Sequence, residues 1–436
     1  DTWDNTPSGN WENGANWTDG STPGNNDTAT FNLAQSYPVT FAADPAIIQA
    51  LTVSAGTVTL RSSGGERTLQ LTAGAGGQDI VVSGGTTTLT LGTSDSPLHL
   101  NAGDDLSIRT GATLAVLFGS HVTAFDLADS AGLSGTLRVD GSGSTLTLSG
   151  AVANLVGASG TGSLVFQNSS TGNSINGSLG LASSATPSVT GNLSILSGST
   201  LTLGGNLSLA NQNVAGQVGG MTINGANSAL TQSGASAITL GSAVSGIATL
   251  AIGTTTSGGT FTTGTGLFTI KKTGTVTIGS GTNIGTLTAN GDLTINGGVL
   301  QKSNAASTFD LADGRTVTIQ GGGRLTLAGP STADANQIFN VSGTNSRWEI
   351  TGANALTIGG GAQVNLTSGA ALSAGGRIDV GNGAASVGTL SVAGTSSTAT
   401  AGSELSTWAG AGGTANVTFS TAAVGTFNAG LDLANS

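Results

Sequence analysis

The sequence predicts an all-β protein, a right-handed parallel β-helix (β-solenoid) preceded by a Trp-rich N-terminal cap or docking segment. Three observations predict it. The first is the stretch Thr275–Gly298, TVTIGSGTNIGTLTANGDLTINGG, in which three short runs alternate aliphatic with small polar residues between Gly, Asn and Ser. Val276, Ile278, Leu287, Leu293 and Ile295 then point one way and the Thr residues the other, the period-two signature of a strand buried on one face. The second is that the turns between these runs are too short for helices and carry Gly or Asn where positive φ is needed. The third is recurrence: nearly everything after residue 30 varies the same pattern, and a chain that bends every four or five residues winds a coil.

Taken in order, residues 1–30 stand apart. They hold three of the five Trp residues, Trp3, Trp11 and Trp17, among Asn, Gly, Asp and Pro. The open end of a coil stack exposes its core and unpaired backbone groups, so a covering segment is expected there. An aromatic platform for sugars and a segment docking onto another subunit are the sharper readings of the same residues. The β-helix proper is expected over 31–436.

It opens with Phe31-Asn32-Leu33-Ala34-Gln35, which returns as Phe125-Asp126-Leu127-Ala128-Asp129, as Phe309-Asp310-Leu311-Ala312-Asp313 and, more weakly, as Leu431-Asp432-Leu433-Ala434-Asn435. Four copies predict one structural unit used repeatedly. The last copy stops where the pattern should continue, which predicts truncation or completion by a neighbouring molecule through Leu431, Asp432 and Leu433. Between the copies, strand signals recur from Leu51–Leu60 to Thr389–Val392. Two or three strands make a coil of about 20 residues, and ~390 residues at ~4.8 Å per coil give a rod of roughly 90 Å. Parallel crossovers predict the right hand.

Composition narrows the function. The chain has 436 residues, 73 of them Gly, with 8% charged and 4% aromatic. A thin repeated core fits this better than a conventional globular one. A formal charge of -11 with 11 Lys and Arg leaves no basic patch for nucleic acid or anionic membrane. No apolar run reaches transmembrane length, Leu114–Phe118 being among the densest. The chain has no Cys, and its single Met is Met221, so an export signal removed or a fragment is expected. From Gly141 to Ile270 there is no Asp, Glu, Lys, Arg or His. No acid–base chemistry can reside in that span, and its Thr, Ser and Asn residues suit ladders between coils or packing against another copy.

Gly135–Gly150 (GTLRVDGSGSTLTLSG), Met221–Ser242 (MTINGANSALTQSGASAITLGS) and the lead-in Gly9–Gln35 resemble exported bacterial surface proteins built from autotransporter-type β-strand repeats. The likeness is one of repeat style and extends over essentially the whole chain. It implies a right-handed parallel β-helix at the cell surface or in an extracellular structure.

Candidate chemistry is sparse. Acid–base or calcium-dependent work on polysaccharide needs several carboxylates together on adjacent coils. The nearest supplies are Asp104, Asp105, Arg109, Asp126, Asp129, Arg138 and Asp140, and then Asp310, Asp313, Arg315 and Arg324. Surface ion pairs and turn caps explain both sets equally. His99 and His121 lie apart in sequence and read as ordinary strand positions with no obvious carboxylate partner. Asp19, Asn25 and Asp27 offer oxygens that could hold calcium in the lead-in, or simply cap turns. The expected function is therefore non-enzymatic: a subunit of an extracellular fibre or surface layer that self-associates end to end into a homopolymer. A monomeric adhesin whose tryptophans contact glycan is the alternative, and a polysaccharide lyase or hydrolase is third.

Overall fold

The computed structural model describes residues 1–433 apart from 6, 45–46, 73–77, 95, 128–132, 383–385 and 408–413, and gives only the backbone of 78, 407 and 431–433. The chain is 54% strand and 1% helix, wound as a parallel β-solenoid of about 15 turns. It divides into two compact units, residues 1–233 and 234–436.

Each coil contributes three strands, one to each of three faces. In the first unit one face runs from Ser36–Phe41 through Thr57–Ser62, Thr88–Leu91, Thr113–Leu117, Thr136–Asp140, Thr161–Gln167 and Thr190–Leu196 to Val218–Asn224, every pair parallel. In the second unit the matching face runs from Ile247–Ile252 to Val424–Phe427. The alternation read in the sequence sets the inside. Val276, Ile278, Leu287, Leu293 and Ile295 are all 0% exposed, while the intervening Thr residues are half-buried.

In-register stacking turns these positions into columns. Val58, Leu89, Leu114, Leu137, Leu164, Leu193 and Met221 are successive partners inside the first unit, all buried. Each such side chain is worth about 1.5–3 kcal/mol of burial. Outside, Thr269, Thr294 and Thr318 form a like-residue ladder, and Asn365 Nδ2 donates to Asn340 Oδ1 at 3.0 Å. At one corner a column of buried serines closes the backbone account. Ser120, Ser144, Ser199 and Ser228 accept from the N–H groups of Leu98, Gly119, Ser170 and Gly198 on the preceding coil.

Three expectations need correction. The coil is longer than 20 residues: neighbours lie from 21 apart (Thr40 and Arg61) to 31 apart (Ser242 and Thr273), because three strands and three corners must fit. The run Leu51–Leu60 is two strands, Ala50–Val53 and Thr57–Ser62. They are parted at Gly56, where φ is +76° and a Cβ would lie 2.2 Å from the Leu33 carbonyl oxygen. The Phe-Asx-Leu pentads are not one reused unit. Phe31 ends a strand and is 0% exposed, Phe125 follows His121–Ala124 at 42% exposure, and Phe309 sits half-buried in Thr308–Leu311. A five-residue motif fits any lateral strand, and coil register decides which side faces in. Ala128, Asp129, Ala434 and Asn435 of these copies lie outside the described residues.

Candidate functional site

The lead-in folds against the first coil. Gly9–Asn10 pairs in parallel with Val39 and Thr40, and Thr2 bridges to Thr30. Trp3, Trp11 and Trp17 are 0, 1 and 2% exposed. Trp11 stacks on Phe41 at 4.8 Å, and Trp3 and Trp11 both meet Trp17 edge-on near 5 Å. Trp17 Nε1 donates to the Trp11 carbonyl at 3.0 Å, so the polar tip is satisfied inside. The expected platform for sugar or for a second chain therefore has no free ring face here, because the rings pack on one another and on Phe31 and Phe41.

The calcium candidates are engaged by their own turns. Asp19 accepts from the Ser21 backbone N–H at 3.1 Å and from its hydroxyl at 2.9 Å, and the backbone bond holds its carboxyl below the usual range. Asp27 accepts from the Gly24 N–H at 2.8 Å. Asn25 lies in the turn between them. Among the described residues no group of three or more His, Asp or Glu side chains is arranged to hold a metal ion.

The acidic sets are likewise drawn into local contacts. Asp140 accepts from Gln167 and Asn168, each at 2.7 Å. Asp105 and Asp126 are buried, and Asp79, which the sequence reading passed over, is 0% exposed and accepts from the Asp104 N–H at 2.8 Å. Asp129 lies outside the described residues. In the later set Arg324 pairs with Glu349 at 3.1 Å.

His99 and His121, expected to lie apart, are partners in register on adjacent coils, with rings edge-on at 4.0 Å. Glu66 Oε1 lies 2.9 Å from His99 Nε2, and His121 Nδ1 bonds the Thr145 hydroxyl. Twenty-two residues in sequence are one coil in space, which is why linear spacing concealed the pair. Burial holds both imidazoles below their ordinary 6.5, the His121 ring adding to the effect on His99 and Glu66 opposing it for both. The unfolded chain therefore binds protons that the folded chain refuses as pH falls through 6.5. Stability is full above that value and is lost progressively below it. Thermal unfolding at about pH 5.5 and 7.5 should show a larger acid loss for the native chain than for His99→Gln/His121→Gln. Equal losses would refute the assignment.

One site joins residues from several coils. In the second unit Thr308–Leu311 pairs with Gly285–Ala289 on one side and, among the described residues, with no strand on the other. The same face resumes at Ser331–Ala333 after Pro330, which has no N–H to donate. Gln337 reaches across, its Nε2 donating to the Leu311 carbonyl at 2.6 Å.

Beside this break is a cavity of about 230 Å³ lined by Lys302, Phe309, Asp310, Gln337, Phe339 and Trp348, with Asp334 and residues 330–332 among its other walls. Lys302 occupies an interior column, between Ile278 and Leu327 of the adjoining coils. It is 9% exposed, and its ammonium has no hydrogen bond or ion pair among the described residues. Burial lowers its pKa. Trp348 is 1% exposed, stacks on Phe339 at 4.3 Å, and among the described residues its buried indole N–H has no acceptor. Asp310 and Asp334 are exposed. Of this site the sequence reading singled out only Asp310 as a candidate for chemistry, with Phe309 and Leu311 named as part of a repeated pentad. An apolar column interrupted by Lys at 302 was the available signal.

No family model matches the chain, and neither a curated protein nor a solved structure matches it.

Proposed function

We propose that the chain is a structural subunit of an extracellular fibre or cell-surface layer, built by end-on stacking of solenoid coils. The observation that carries this reading is the parallel, in-register stacking of coil on coil, Val387–Ala393 pairing with Thr414–Ser420 just as Ala362–Thr367 pairs with Val387–Ala393. The coil formed by Thr414–Ser420, Val424–Phe427 and Gly430–Leu433 pairs in the same way with 387–393, 398–401 and 404–407. Phe419 and Val424 are 36 and 51% exposed, and Phe419 meets Phe427 edge-on at 6.1 Å. A further coil of the same kind can pair with a stacked coil through backbone N–H and C=O groups, and exposed apolar side chains favour such contact.

Leu431, Asp432 and Leu433 lie in this coil, paired through their backbone with Leu405, Ser406 and Thr407. A second copy would meet it with the polar outer surface of the lead-in, the tryptophans remaining inside. The span 141–270 without charge would add little repulsion to close packing of copies. Right-handed winding and an extracellular location belong to the same proposal, the first from the crossover preference and the second from the repeat style.

Electron microscopy of the 436-residue chain should show filaments, and Phe419→Asp/Val424→Asp should reduce them to single particles with the β signal kept. Filaments that survive both charges, or a native chain that forms none, would refute end-on stacking.

A further inference from the structure

The geometry points to the cavity at the 308–311/331–333 break as a binding site for a small hydroxylated monocarboxylate, its carboxylate held by Lys302 and the Trp348 N–H. The proposal is independent of how copies assemble. Two observations carry it. Lys302 and Trp348 are 9 and 1% exposed and line the same cavity, and among the described residues the lysine has no hydrogen bond or ion pair and the buried indole N–H has no acceptor. A buried ammonium without a partner is costly, and so is a buried N–H. Neighbouring coils place Ile278 and Leu327 in register with Lys302, and Leu325 and Leu372 with Trp348, so apolar side chains occupy these interior columns beside both. An anionic oxygen between the two donors would satisfy both, as a charge-assisted bond to the lysine and a neutral one to the indole.

The second observation is the polarity of the walls. Asp310 and Asp334 are exposed and, with Ser331 and Thr332, supply acceptors and hydroxyls suited to a ligand carrying O–H groups. One lysine facing two carboxylates leaves the site net negative, which disfavours a phosphate dianion and tolerates a monoanion. The Phe339–Trp348 pair gives an apolar wall for a carbon chain, and about 230 Å³ suits a ligand of single-sugar or amino-acid size. The break in the lateral face gives the site its room: among the described residues no strand covers Thr308–Leu311 on that side, and Pro330 brings no N–H to fill it.

Calorimetric titration of the full chain with D-gluconate, sorbitol, hexanoate and inorganic phosphate separates the contributions. The first three share a six-carbon chain and differ in carrying both groups, hydroxyls alone or the carboxylate alone. Gluconate should bind one to one and at least tenfold more tightly than any of the others. Lys302→Met, which keeps the length and packs into an apolar column, should weaken gluconate at least tenfold while leaving sorbitol unchanged. Trp348→Phe should weaken it by a smaller factor. Circular dichroism and thermal melting confirm that each variant is folded, and Lys302→Met should melt no lower than the native chain because it removes an unpaired buried charge. Gluconate binding that is absent, matched by sorbitol, hexanoate or phosphate, or unchanged in folded Lys302→Met would overturn the assignment.

Discussion

Gly191→Ala should destabilise the first unit by about 3 kcal/mol or more, an unusually large effect for the addition of one methyl group. Gly162, Gly191 and Gly219 are successive partners at the start of three long strands, where one face turns close to the next. A Cβ on Gly191 would lie 2.2 Å from the Val156 oxygen and 2.4 Å from the Ala182 nitrogen. Those two atoms are bonded to each other at 2.8 Å, so the methyl would occupy the place of a buried corner hydrogen bond. Either the bond breaks, leaving a buried donor and acceptor unsatisfied, or two faces of the coil separate and the neighbouring columns of Leu164 and Leu193 lose contact. Hydrogen exchange should report the loss in Thr161–Gln167 and Thr190–Leu196, with Thr202→Ala, an exposed position on the same solenoid, as the near-neutral control. Protection unchanged in Gly191→Ala would mean that the corner opens freely and that the close approach is not a constraint.

Trp11→Ala should release the lead-in from the first coil while distant coils stay folded. The indole is 1% exposed, stacks on Phe41 and packs edge-on against Trp17, while the residue's backbone N–H donates to the Thr40 carbonyl and its backbone carbonyl accepts from Trp17 Nε1. Truncating a buried Trp costs about 3–5 kcal/mol. That exceeds what the two ladder residues Gly9–Asn10 can return. Amides of residues 1–20 should lose protection and the Ser36–Phe41 edge should open. Strands such as Thr200–Leu203 should be unaffected, because in a solenoid each coil contacts chiefly its neighbours. The blue-shifted emission of buried indoles should move toward that of solvated Trp. Retained protection over 1–20 would show that backbone pairing alone holds the segment. Global unfolding would show that the lead-in is needed by every coil.

The two variants bear on different parts of the sequence record. Period-two alternation is local, so the inward set Val276, Ile278, Leu287, Leu293 and Ile295 could be read without knowing any neighbour. Gly and Asn at the bends, and the absence of helical periodicity, led to stacked parallel coils for the same reason. Coil length is not local. It varies from 21 to 31 residues among the described residues because each corner holds a different number of turn residues, and a steady estimate of about 20 cannot give the register.

The pentads show the consequence. Phe31 and Phe125 share a motif yet face opposite ways, since which side is buried follows from where the coil closes. The histidines show it again: with no knowledge of register, His99 and His121 read as unrelated, and register puts them in contact. The sequence by itself determined the parallel coil architecture and its apolar lining, because each strand carries its own inside and outside. Only the tertiary structure decided that the three tryptophans are interior, that the imidazoles meet, and that Lys302 and Trp348 share a cavity. Those outcomes depend on which residues fall one coil apart, and that distance is fixed by all the corners between them.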